Sequence, residues 1–147
     1  MAERSVRRSI SIALVSPARP GEVLVVRRPL DDPHLPGAWG LPAGSLRSGE
    51  TWVEAVVRAG GEKLGVELAV TAELERGTLE RSDYTLEMAL FEAEIVRGAP
   101  SVGQPYPEVT QYIDWTWDAP AALRPAAEAG SLCSRLYLAW WGRAHRM

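Results

Sequence analysis

The sequence predicts an α+β fold in which a mixed β-sheet packs between helices. Three observations carry that expectation. Stretches with apolar residues at every second position flank the middle of the chain and read as strands. One central stretch, Thr51 to Leu64, places Trp52, Val53, Val56, Val57 and Leu64 at helical spacing. The last part of the chain returns to helical spacing after a final strand.

Bulk composition sets the limits. At 147 residues the chain is expected to form one domain, 1–147, with a sizeable core. Hydrophobic residues make up 46% and charged residues 24%, the balance of an ordinary globular protein. A net charge of −3 gives no general attraction to nucleic acid or to an anionic membrane. Cys133 is the sole cysteine, so an intrachain disulfide and a thiolate zinc cluster are both excluded. His34 and His145 lack ligand-like spacing. Met1 to Ser9 is basic but is followed by alternating Ser and Ile rather than a continuous apolar run. No stretch approaches a membrane span, and a cytoplasmic location is expected.

Ser9 to Val15 alternates, with Ile10, Ile12 and Leu14 on one side, and reads as a half-buried strand. Pro17 to Gly21 breaks it. Glu22 to Arg28 carries Val23, Leu24, Val25 and Val26 in a row, as a strand covered on both faces does. The short break suggests that the two strands pair. Pro29 to Pro36 is a loop, and Trp39 is expected to anchor the irregular path from Gly37 to Gly44.

The central helix has Ser48 or Thr51 as its cap candidate and Gly65 as its stop. Gly60 and Gly61 inside it each cost about 1 kcal/mol relative to alanine, so packing must hold it. Leu68 to Leu79 and Ser82 to Val96 read as a hairpin, with Gly77 marking a bulge or bend. Gly98 to Pro107 is a loop. Gln111 to Trp117 reads as a strand with Ile113, Trp115 and Trp117 on one face. Asp118-Ala-Pro120 signals a short helix to about Leu123. A last helix from about Ser131 to Trp141 presents Leu132, Leu136, Tyr137 and Trp140, with Gly142 as its stop. Trp39, Trp52, Trp115 and Trp140 all fall on apolar faces.

The stretch from Gly44 to Val66 carries the chemistry. Gly44, Glu50, Arg58, Glu62, Gly65 and Val66 fall without a gap on the pattern G-x5-E-x7-R-E-U-x-E-E-x-G-U, where U is a bulky aliphatic residue. Together with Gly37-Ala-Trp39-Gly-Leu41-Pro upstream, this segment resembles the Nudix box. The resemblance implies the Nudix α/β/α sandwich and a hydrolase of nucleoside diphosphates linked to another moiety, assisted by Mg²⁺ or Mn²⁺. It also implies that Glu50, Arg58 and Gly65 are structural, with Glu50 and Arg58 bracing the loop against the helix. Glu62 and Gly44 take the metal-side positions.

Ala59, Gly60 and Lys63 depart from the pattern. Positions 59, 62 and 63 share one helix face, where the family keeps three glutamates. The formal charge of that face moves from −3 to 0, with −1 from Glu62 and +1 from Lys63. Two unit charges about 4 Å apart interact by roughly 4 kcal/mol at an effective dielectric near 20, so a divalent ion beside Lys63 meets strong repulsion. Ala59 also stands where the family commonly places a metal ligand or water-activating base.

Glu62 and Glu108 are the candidate catalytic acids, Glu108 because it precedes a late strand where some relatives hold an extra ligand or base. Glu80 and Glu87 are weaker substitutes. Arg27, Arg28, Lys63, Tyr84 and Tyr106 are the candidate substrate contacts. Tyr84 resembles a tyrosine of relatives that act on dinucleoside polyphosphates. Arg81 and Ser82 stand where an ADP-ribose subgroup has proline. Two readings follow: a weak or divergent hydrolase, and a non-catalytic domain that binds a nucleotide, a phosphorylated metabolite or a protein partner. The sequence leaves the oligomeric state open, a homodimer included.

Overall fold

A computed structural model describes residues 5–145. The ends of the basic start and of the 1–147 domain expectation, residues 1–4 and 146–147, lie outside the described residues. Seven strands and three helices follow one another as β1 (Ser5–Leu14), β2 (Val23–Arg27), β3 (Trp39–Gly40), β4 (Ala43–Ser45), α1 (Trp52–Leu64), β5 (Glu67–Glu80), β6 (Tyr84–Arg97), β7 (Asp114–Asp118), α2 (Arg124–Glu128) and α3 (Leu132–Ala144). A 3₁₀ turn, Pro120–Leu123, leads directly into α2. No helix among the described residues is long and apolar enough to cross a membrane.

The strands form two sheets. The larger has the order β4-β1-β6-β5 and is mixed: β1 runs parallel to β6 but antiparallel to β4, and β5 and β6 form the expected hairpin. The smaller has the order β3-β2-β7 and is antiparallel. The expected pairing of the first two strands does not occur. Both edges of β1 are taken, by β4 and β6, and β2 pairs with β3 and β7 instead.

Two apolar clusters flank the strands. On one side α1 contributes Val56, Ala59 and Leu64 against Ile10, Ile12, Leu14, Leu24, Val26, Ala89 and Phe91. On the other side α3 contributes Cys133, Leu136 and Tyr137 against Ala13, Val23, Val25, Met88 and Leu90. Alternate residues of β1, β2 and β6 therefore serve opposite layers. This is why β1 is buried on both faces from Ile10 to Leu14 rather than half-buried as its alternation suggested.

Helix α1 begins with a reciprocal cap. The Thr51 hydroxyl accepts from the Glu54 amide at 3.1 Å, and the Glu54 carboxylate accepts from the Thr51 amide at 2.9 Å. Gly65 closes the helix at φ 68°, with its amide donating to Gly61 and that of Val66 to Gly60. Val53 and Val57 face outward, 46% and 39% exposed, so the apolar stripe is narrower than its spacing implied. Small residues take their place on the buried side: Ala55, Ala59 and Gly60.

Two glycines act through the space they leave. A Cβ on Gly60 would lie 2.5 Å from a methyl of the buried Leu68. A Cβ on Gly77 would lie 2.6 Å from a methyl of Leu136. Gly77 pairs regularly with Met88 and is no bulge; the register shifts of β5 fall nearer its start, between Val70 and Ala72 and between Glu73 and Glu75. Gly142 does not end α3, which continues to Ala144. Ile113 precedes β7 and is 45% exposed, whereas Trp115 and Trp117 do pack on the α1-side cluster.

Adjacent glycines of α1 should therefore respond oppositely. Gly61 has nothing within 4 Å of a built Cβ, so Gly61→Ala should stabilise by about 0.5–1 kcal/mol. Gly60→Leu should destabilise by about 1–3 kcal/mol through overpacking, and Leu68→Ala in the same chain should recover part of that loss. Urea unfolding midpoints of the four proteins check this.

Candidate functional site

The loop between β4 and α1 is fixed by one arginine. Arg58 donates from Nε to Glu50 at 2.7 Å and from Nη2 to the other Glu50 oxygen at 2.9 Å. The same Nη2 donates to the Ser45 carbonyl at 2.6 Å, and Nη1 donates to Glu62 at 3.4 Å. Glu50 also accepts from the Arg47 amide at 3.0 Å. Hydrogen bonding from Arg58 outweighs partial burial and holds the Glu50 carboxyl below its ordinary value of 4.5. The same bond raises Arg58 in turn.

Glu62 is largely buried and faces two guanidinium groups. Arg47 Nη2 lies 3.0 Å from each of its oxygens, and Arg58 Nη1 lies 3.4 Å from Oε2. Its backbone carbonyl accepts from Gln111 Nε2 at 3.0 Å, which ties the loop before β7 to the end of α1.

Lys63 is 8% exposed. Its ammonium donates to the backbone carbonyl of Ala43, the residue before Gly44, and lies 5.2 Å from the ring centre of Tyr112. The Tyr112 hydroxyl donates to the same carbonyl at 3.3 Å and accepts from the Ala43 amide at 3.0 Å. A buried lysine is thus held by a carbonyl dipole and an aromatic face. No carboxylate among the described residues pairs with it.

Ala43, Ser45, Arg47, Arg58 and Lys63 line a cleft of about 620 Å³, and Glu62 is not part of that lining. Arg28, Arg47, Arg58 and Lys63 supply four cations to its wall, and Glu108 supplies one acid. Three of the four have carboxylate partners: Arg28 meets Asp32 at 3.4 Å, and Arg47 and Arg58 meet Glu62 and Glu50 as above. Gly44 and Tyr84 complete the lining named from sequence, with Arg7 stacked 4.1 Å over the Tyr84 ring. Among the described residues, no three or more His, Cys, Asp or Glu side chains come together as a metal site.

The remaining candidates lie elsewhere. Arg27 donates to the Gly37 carbonyl at 3.0 Å and braces the turn at that glycine, where φ is 67°. Tyr106 lines a separate groove with Val57, Gly61 and Gln104. Glu87 faces Arg8 and Arg76, and Glu80 accepts from Thr85. Arg47 and Tyr112 were not singled out from sequence. Arg47 falls within the unspecified x5 of the box, and Tyr112 falls inside the stretch read as a strand, off the face of Ile113, Trp115 and Trp117.

A cleft of clustered cations between a glycine-bearing loop and a helix, on two packed sheets flanked by helices, defines a class of α+β proteins suited to phosphorylated ligands. The chain belongs to the Nudix family: the model of the NUDIX domain matches residues 6–137. Comparison with curated protein sequences finds no match. Among solved structures, the fold is similar to that of the E. coli ORF135 protein, at 21% identity over 97% of this chain and 94% of that one, with TM-score 0.71. It is also similar to a MutT protein from Methanosarcina mazei Go1, at 17% identity over 97% and 95%, with TM-score 0.70. A third similar structure is a UDP-X diphosphatase, at 16% identity over 99% of this chain and 67% of that one, with TM-score 0.74. Members of the family generally use divalent metal ions and bind nucleotide-linked substrates.

The lowered Glu50 carboxyl sets a pH dependence. Its contribution to stability is complete above about pH 4.5 and declines as the pH falls through its lower folded-state value. Glu50→Gln should be less stable than the parent at pH 7, and that difference should shrink on acidification to pH 3. Urea midpoints measured across the interval check the sign.

Proposed function

We propose that this chain binds a nucleoside diphosphate or a derivative of one without a divalent metal ion, with Lys63 in the role of the cation. One observation carries the reading: the Lys63 ammonium, without a carboxylate partner, sits on the Ala43 carbonyl beside Gly44 and faces the cleft. The residues present do not fit Mg²⁺, which prefers six oxygen ligands in near-octahedral array. Ala59 offers a methyl group, Lys63 a positive charge, and the Glu62 oxygens already accept from two arginines. A divalent ion would have to compete with both guanidinium groups for these two oxygens. A lysine can instead meet phosphate directly as a point charge. The similar UDP-X diphosphatase acts on a diphosphate, as its name says, which supports the ligand class.

A second reading rests on Glu108, the acid of the same cleft wall. It is a slow diphosphate hydrolase in which Glu108 serves as the base and the arginines carry the phosphates.

Calorimetric titration with ADP and with UDP separates the two. Binding should persist in EDTA and should not strengthen with added Mg²⁺. Lys63→Met, which keeps an unbranched chain and removes the charge, should weaken it about tenfold, as loss of a charged hydrogen bond does. Binding that requires the metal, or that ignores the substitution, would defeat the proposal. Turnover of a nucleoside diphosphate derivative that Glu108→Gln abolishes would favour the second reading.

A further inference from the structure

A smaller compartment of about 190 Å³ opens off the cleft, sharing Arg28, His34, Ala43, Leu86 and Met88 with it. Its far wall brings Arg81, from the β5–β6 turn, to the loop before α3 and to Leu132 and Cys133. Leu35, Leu86, Met88 and Leu132 make much of the lining apolar. Arg81 is half-buried, and its Nε is fully buried without a hydrogen-bond partner. No carboxylate pairs with its guanidinium among the described residues, whereas Arg28, the other cation of the compartment, already faces Asp32.

A buried guanidinium nitrogen with no acceptor is costly unless something supplies one. The compartment's one uncompensated charge suits a partner with a single negative charge. A carboxylate matches the guanidinium fork in charge and in planar geometry, while a phosphate monoester carries nearly twice the charge. The volume holds about six waters at about 30 Å³ each, the room of a six-membered ring with its substituents. The apolar side chains suit the C–H faces of such a ring.

We infer that Arg81 and the compartment around it bind the carboxylate of an acidic sugar whose nucleoside diphosphate occupies the main cleft. The ligand is then a nucleoside diphosphate linked to a uronic acid. This rests on the proposed binding of a nucleoside diphosphate at Lys63, and it adds the chemistry of the group at the far end.

UDP-glucuronate and UDP-glucose share their size and differ at one carbon, a carboxylate against a hydroxymethyl group. Titrated in EDTA, the acidic sugar nucleotide should bind about tenfold more tightly, the worth of a charge-assisted pair. Arg81→Gln should erase that preference while leaving the affinity for UDP-glucose within about twofold, and Arg81→Lys should restore part of it. Melting curves of both variants should match the parent. Equal binding of the two ligands by the parent overturns the assignment of the compartment and leaves the Lys63 reading standing. A preference that survives Arg81→Gln overturns it as well. Failure of both ligands to bind overturns the Lys63 reading and the assignment together.

Discussion

The guanidinium of Arg58 joins three pieces of chain: β4, the loop that follows it, and helix α1. It holds the Glu50 carboxylate with two nitrogens, the Ser45 carbonyl with one of them, and Glu62 one helical turn further on. Arginine suits this position because its planar fork satisfies several acceptors at once and keeps its charge at any ordinary pH. Desolvating such a group is costly, and the cost is met only while all its partners stay in place. The path of the loop from Ala43 to Glu50 therefore depends on this contact, and the floor of the cleft is that loop.

The same network explains why Glu62 can survive without its usual neighbours. A carboxylate on a buried face needs compensation, and Arg47 and Arg58 supply it. Lys63 meets its own requirement separately, through a backbone dipole and an aromatic ring, both of which leave its charge uncancelled. The cleft wall carries four cations, Arg28, Arg47, Arg58 and Lys63, against one acid, Glu108, a balance that favours an anion over a cation.

Much of this was legible in the residues. The central helix, its Thr51 cap, the Gly65 stop and the hairpin follow local rules of spacing and capping, and they appear where those rules place them. The pairing of β1 was not legible. An alternating pattern reports that one face is apolar, but Ser11 and Ala13 are small enough to be buried on the other, so the strand passes for an edge while sitting mid-sheet. The cleft was legible in its charge and less so in its shape. The loss of acid on the 59–62–63 face shows in the letters alone. That Lys63 folds onto Ala43, that Arg47 reaches Glu62, and that Tyr106 points into another groove all depend on contacts far apart in sequence.

The three departures from the box pattern also make physical sense as a set. Ala59 is 2% exposed, and its methyl lies 3.5 Å from where a side chain on Gly44 would begin, so helix and loop approach closely at that point. A glutamate there would bring a carboxylate into a buried position and would need a partner for its charge. Gly60, one residue on, leaves the room that Leu68 fills, which draws β5 against the helix. With loop and strand both drawn in, the next turn of α1 places the Lys63 ammonium within reach of the Ala43 carbonyl. Ala59→Glu alone would therefore set a carboxylate into a packed, cation-lined corner, one turn of helix from the Lys63 ammonium. Changing the chemistry of this cleft requires changing positions 59 and 63 together, because each is shaped to what the other now is.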